Sequence, residues 1–422
     1  MKIQFLLNFL CVFSLLSCSQ EKDLDTDPIG STDTNSETPS VTAPISGFTT
    51  CENGFAGEFP CSNIDLYAHL DLNILEATSG NDNWGWTDPE TGKEYVLVGL
   101  DNGTAFVDIS QPETPLYLGK LPTATDASSW RDVKVYKNHA YIVSEAPQHG
   151  LQVFDLTRLR AVTETGQTFT ADSRNTSIGN AHNIAINEET GFAYILGSQL
   201  ENGGPVFFDL SDPKNPRRVS GYRFNGYAHD AQIISYQGPD TAYQGKEIYM
   251  GSHSDGSTYN DLVILDVTDK ESPILLQALS YGSPGYTHQN WISEDHRYVF
   301  LGDEVDEISF GGRTRALVFD VSDLNQGVLH HIYRGPTKAI DHNGYVKEGL
   351  YYLANYTAGL RIVDVASIEN NRMGEVGFFD TYAQNNQTAF EGVWNVYPFF
   401  ESGIIAINDI NTGLYLVKQS KD

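Results

Sequence analysis

Basic residues are scarce in this chain of 422 residues: 26 Lys and Arg stand against 55 Asp and Glu, a formal net charge of −29 at pH 7. That balance repels phosphate backbones and anionic lipid surfaces, which excludes nucleic acid as a partner. Cysteine is almost missing, with Cys11, Cys18, Cys51 and Cys61 making up the whole set of 4. Long apolar runs are missing too. The stretch from Ile3 to Leu16 is too short to span a bilayer as a helix, and no other segment approaches that length. No long segment repeats with helical period, and G-x-S-x-G elbows, P-loops and H-E-x-x-H motifs are absent.

The few exceptions cluster at the N-terminus. Lys2 followed by the apolar stretch has the shape of an export signal, and it closes in "LLSC", residues 15–18. This resembles the lipobox of bacterial lipoproteins. It implies a signal peptide over residues 1–17 and a lipid on Cys18 as the sole membrane attachment. Residues 18–47 are acidic and rich in Ser, Thr and Pro, a composition that cannot bury enough surface to offset its ordering entropy, so a tether is expected. The acidic start "SQEKDLD" resembles signals that send lipoproteins to the outer face of the outer membrane, so exposure at the cell surface is expected. In that oxidising setting Cys51 and Cys61 should form a disulfide that closes a loop over residues 48–63. Nothing then remains for a thiolate metal site or a catalytic thiol.

What the chain has in abundance is a repeat. The segments "GTAFVDIS", "GLQVFDLT", "GPVFFDLS", "DLVILDVT", "RALVFDVS" and "GLRIVDVA" end on Asp108, Asp155, Asp209, Asp266, Asp320 and Asp364, and a seventh, "GLYLVKQS", carries Lys418 at that place. Each follows a partner strand such as "FAYILGS" or "RYVFLGD". Seven units, each with about four short strands rich in β-branched and aromatic residues, predict an all-β fold: a seven-bladed β-propeller over residues 64–422. The recurring aspartates end strands and are expected to cap the turns that follow. The seventh unit lacks its outer strand, and "IDLYAHLDL", residues 64–72, is surplus ahead of the first. It should pair beside residues 413–419 and close the ring as a monomer.

Longer stretches carry a more specific likeness. "CENGFAGEFPCSNIDL" (51–66), "NWGWTDPETGKEYVLVGLDNGTAFVDIS" (83–110), "WRDVKVYKNHAYIVSEA" (130–146) and "GLQVFDLTRL" (150–159) resemble the choice-of-anchor B family of exported bacterial proteins with LVIVD repeats. The resemblance implies a propeller and surface export, and brings no catalytic residues with it. Many members carry a C-terminal sorting segment; this chain ends in "GLYLVKQSKD", and the N-terminal lipid is expected to take that role.

Four of the 11 histidines share one place, "AHN", "AHD", "THQ" and "DHN", just before the first strand of a unit. His182, His229, His288 and His342 should therefore lie at the top of four consecutive innermost strands. The other units offer Arg131 and Asp132, Glu391 and Trp394, and Trp84 and Trp86 at the corresponding loops, while Glu145, His253, Asp303 and Glu304 reach the same face from the loops between second and third strands. Three roles fit these groups. The histidines can bond within their own blades, as in tryptophan–aspartate repeat propellers. The face can be a mouth that recognises a glycan, a peptide or a surface protein. Or the histidines can ligate a metal on the axis, with Asp132, Asp230 and Glu391 behind them as acceptors. Carotenoid-cleaving oxygenases hold iron with four histidines in such a fold, an analogy of architecture alone. The adopted reading is a recognition module. The alternative is a metal-dependent enzyme, an oxygenase or hydrolase, with a divalent cofactor such as Fe or Zn, or Ca in the acidic turns "GDEVDEISFGG" and "NDINTG".

Overall fold

The computed structural model describes residues 45–256 and 258–421. The leader of residues 1–17, the lipidation site Cys18 and the tether as far as residue 44 lie outside the described residues. The described chain forms seven blades in sequence order, the expected seven-bladed β-propeller, antiparallel except where Gln167–Thr168 adds parallel to Leu116–Pro122 at the edge of blade one. In blade three the innermost strand is Asn183–Asn187, followed outward by Phe192–Leu196, Val206–Asp209 and Arg217–Gly221. The innermost strands of the other blades, from one to seven, are Gly80–Thr87, Arg131–Tyr136, Ala228–Ser235, Thr287–Ile292, Gly344–Lys347 and Val393–Tyr397.

The middle strands are apolar on both faces because each blade is covered on both sides. Seven apolar clusters among the described residues fill the gaps between adjacent blades. The recurring aspartates do what a strand-ending carboxylate does best. Asp108, Asp155, Asp209, Asp266, Asp320 and Asp364 each accept the backbone N–H two residues on, at 2.8–3.1 Å. They are turn caps spread around a ring and share no substrate.

The ring is closed by the N-terminal strand. Ile64–Leu70 runs antiparallel to Gly413–Gln419, from Leu70 opposite Leu414 to Ile64 opposite Gln419. Two sequence expectations need correction here. Residues 45–47, assigned to the tether, belong to the strand Ile45–Thr49, which adds outside Ile64–Leu70. Residues 48–63 are more than a disulfide-closed loop: Phe55–Ala56 and Phe59–Ser62 form a hairpin that extends blade six beside Phe378 and Phe379. The cause is Phe59, a buried ring packed 5.5 Å from Phe379 and 5.2 Å from Tyr415.

Cys51 and Cys61 are joined in a disulfide. It ties the hairpin on blade six to the segment that follows the outermost strand of blade seven. In the chain-entropy account a loop of this length stabilises by about 2–3 kcal/mol. The Cys51→Ser/Cys61→Ser variant should melt a few degrees lower, and the parent should gain two titratable thiols on reduction that the variant does not. An unchanged midpoint would show that the bridge constrains nothing the strands do not already hold.

Candidate metal centre at the top of the axis

Aligning the blades on their pairing with the recurring aspartate puts Asn81, Arg131, His182, His229, His288, His342 and Trp394 at one level. The next residues, Asp82, Asp132, Asn183, Asp230, Gln289, Asn343 and Asn395, form a second level below. In a regular strand neighbouring side chains point to opposite faces. Here residues of both levels line the channel, and in blades four, five and seven the inner strand bulges at this point, between Ala228 and Asp230, Thr287 and Asn290, and Val393 and Asn395.

The four histidines meet as an arc. Ring centroids are 4.1 Å apart for His182 and His229, 4.2 Å for His229 and His288, and 4.3 Å for His288 and His342. Trp394 continues the arc at 4.8 Å from His342. The rings do not bond within their own blades. His229 Nδ1 donates to the carbonyl of His288 at 2.9 Å, and His342 Nδ1 to the carbonyl of Trp394, each in the next blade. His182 Nδ1 donates to Glu145 at 2.6 Å. A carbonyl only accepts, so the Nδ1 of His229 and His342 carries the proton and Nε2 keeps its lone pair. His288 Nδ1 is buried with no partner.

Glu304 completes the group from the blade-five loop. Its Oε2 is 3.6 Å from His288 Nε2, its Oε1 is 3.6 Å from His342 Nε2, and the hydroxyl of Tyr356 donates to Oε1 at 2.6 Å. One ligand atom from each of His288, Glu304 and His342 lies within 4.8 Å of the others. His182 and His229 line, with His288 and His342 but without Glu304, a channel space of only about 30 Å³, and they do not join the ligand set. Burial holds His342 down to about 3, and burial with the neighbouring imidazoles holds His229 and His288 well below the ordinary histidine range. Burial pushes Glu304 up to about 7.

Several sequence-proposed residues are elsewhere. Asp132 and Asp230 are not behind the histidines; they face the channel at the second level. Asp132 accepts the N–H groups of Val133 and Ile184 and pairs with Lys134 at 2.5 Å, and Asp230 accepts the N–H of Ala231. Burial raises Asp230 to about 7. Burial alone would lower the Lys134 ammonium, but Asp132 and Asp82 hold it above the ordinary lysine range. Glu391 is exposed and takes a hydrogen bond from Tyr382, away from the ring. Trp84 and Trp86 are not on the top face. They follow Asn81 down the inner strand of blade one, where Trp86 is buried between blades and donates to Asn138 at 3.1 Å, and Trp84 lies 4.5 Å under the Lys134 ammonium. His253 bonds inside its own blade, to the Tyr249 hydroxyl at 2.9 Å and the Asn225 carbonyl at 3.1 Å. Asp303 turns away from the axis and is held by the N–H groups of Gly285 and Tyr286 and by Arg315.

Residues 256–280, in blade four, match the LVIVD repeat family. No curated protein matches the sequence. Among solved structures, a protein from Lactobacillus plantarum superposes with a TM-score of 0.53 at 12% identity, over 80% of this chain and 92% of that one. The hydrazine synthase of Kuenenia stuttgartiensis superposes with a TM-score of 0.53 at 11% identity, over 76% of this chain and 91% of that one. At such identities the likeness carries the fold and nothing of activity. The chain is a β-propeller that contains an LVIVD repeat.

Proposed function

We propose that this propeller is a metal-dependent enzyme whose centre is held by His288, His342 and Glu304. The observation that carries this reading is the pair of 3.6 Å separations between the imidazole Nε2 atoms and the Glu304 oxygens. Ligands about 2.1 Å from one ion at tetrahedral angles stand about 3.4 Å apart. Two histidines and one carboxylate leave positions open, and they are the ligand set of non-haem iron oxygenases and of zinc hydrolases. A divalent ion bound there supplies Lewis acidity, with redox chemistry added if it is iron. The chain's own groups do the rest. Tyr356 fixes Glu304, the Trp394 carbonyl fixes His342, and His182 and His229 face the remaining space, where His229 Nε2 keeps its lone pair to accept a proton. Protein purified without chelator or affinity-column metal should contain one equivalent of iron or zinc. If neither is present and neither is taken up on titration, the proposal fails.

A second reading keeps the recognition role but moves it to the opposite mouth. There Trp84, Trp291, Tyr397 and Phe399 line a space of about 390 Å³ beside Glu188 and Glu189. Aromatic faces with nearby carboxylates suit a cationic or aromatic small ligand.

Attachment to the outer membrane through Cys18 belongs to the same proposal, supported by the "LLSC" motif and the acidic segment that follows it. The Cys18→Ala variant should leave the membrane fraction as a folded propeller. Its retention there would mean another anchor.

A further inference from the structure

A second acidic cluster lies beside the axial centre and takes no part in it. Asp303, Asp306, Glu307, Asp341 and Arg315 are all buried together between blades five and six. Each carboxylate is tied on one side. Asp306 Oδ2 pairs with Arg315 Nε, Glu307 Oε1 accepts the Arg315 N–H at 3.1 Å, and Asp341 Oδ2 accepts the Asp303 N–H at 3.0 Å. The other oxygens, Asp306 Oδ1, Glu307 Oε2 and Asp341 Oδ1, are buried with no hydrogen-bond partner. One oxygen from each of these three residues lies within 4.8 Å of the others. One guanidinium cannot neutralise four carboxylates, and buried charges of one sign this close do not persist unpaired.

We propose that Asp306, Glu307 and Asp341 hold a calcium ion. The donor set is all oxygen, which suits hard cations and not the transition metals that imidazole attracts. Calcium–oxygen distances of about 2.3–2.6 Å let two ligands stand up to about 5 Å apart, which accommodates the three oxygens, and calcium tolerates irregular geometry where magnesium demands a near-ideal octahedron. The approach of Asp341 is provided for by Gly302, where a Cβ would stand 2.5 Å from Asp341 Oδ2. The ion would join the loop after Glu304 to the residue before His342, so it would also brace two ligands of the axial centre. Its binding does not depend on that centre. The acidic loop lacks EF-hand spacing because the third ligand comes from the next blade.

The test uses the whole protein stripped with EGTA and dialysed. Calcium chloride alone should bind one to one by calorimetry and raise the thermal midpoint by several degrees, and terbium should luminesce when tyrosine is excited, since Tyr281 lies 5.8 Å from the Arg315 guanidinium. Glu307→Gln should weaken calcium binding by 100-fold or more and abolish the thermal shift, whereas His342→Ala should keep both. If Glu307→Gln does not fold, Asp306→Asn makes the same comparison. The proposal is overturned if millimolar calcium gives neither heat nor a shift. It is equally overturned if Glu307→Gln raises the midpoint by the same amount in calcium and in EGTA, the behaviour of carboxylates that share protons.

Discussion

Replacing His342 with Ala, or Glu304 with Gln, should cut the affinity of the axial site for zinc or ferrous ion by about 100–1,000-fold while leaving the fold intact. Loss of a group that only orients a metal ligand costs about 10–100-fold, so loss of the ligand itself must exceed that. Tyr356→Phe, which removes the hydrogen bond to Glu304, should fall in the lower range. His253→Ala is the contrast: it should leave metal affinity unchanged, because that ring bonds to Tyr249 and Asn225 inside blade four. Equal loss of metal in His253→Ala and His342→Ala would mean that the variants report stability and not ligation.

The same site should show a particular pH dependence. A metal must displace protons from its ligands. His342 is held to about 3 by burial, and burial with the neighbouring imidazoles holds His288 well below the ordinary histidine range, so neither is the group that exchanges a proton near pH 7. Glu304, raised to about 7 by burial, is the group that must give one up. Affinity should therefore be flat above pH 7 and fall about tenfold for each pH unit below it, with one proton released per ion bound. A slope of two or three protons would show that the histidines titrate and that the ligand set is different.

How far the sequence reached, and where it stopped, follows from which contacts are local. The recurring aspartates were legible because their work is done two residues away. The level of His182, His229, His288 and His342 was legible because each directly precedes its first apolar strand. Blade one broke the pattern: its residue at that level is Asn81, and the conspicuous indoles of Trp84 and Trp86 drew the alignment too far down the strand. Glu304 stood out only as one of several loop carboxylates, since it meets His342 across a blade boundary. The inward turn of Asp230 depends on the bulged inner strand of blade four, which carries no sequence mark. The hairpin at Phe55–Ser62 was hidden by its short strands, although Phe59 was the residue to notice.

The seam of the ring is where the fold should prove most fragile. Ala68 is fully buried in the closing strand, opposite Leu416 and against the apolar cluster between blades seven and one. Ala68→Asp would place a carboxylate there without a partner, at a cost of more than about 4 kcal/mol, a large part of the 5–15 kcal/mol that typically separates folded from unfolded chains. Removing the strand should be worse. A chain that starts at residue 73 leaves Gly413–Gln419 with an open row of N–H and C=O groups, and such an edge recruits other chains. Its partner comes from the far end of the sequence, so pairing must also overcome the entropy of closing a very long loop, a cost that grows only slowly with length. The shortened chain should therefore aggregate, and a synthetic peptide of residues 45–72 added during refolding should restore a monomer by strand addition. A shortened chain that is monomeric without the peptide, and melts like the parent, would show that blade seven holds with three strands and that the ring does not need its N-terminal seal.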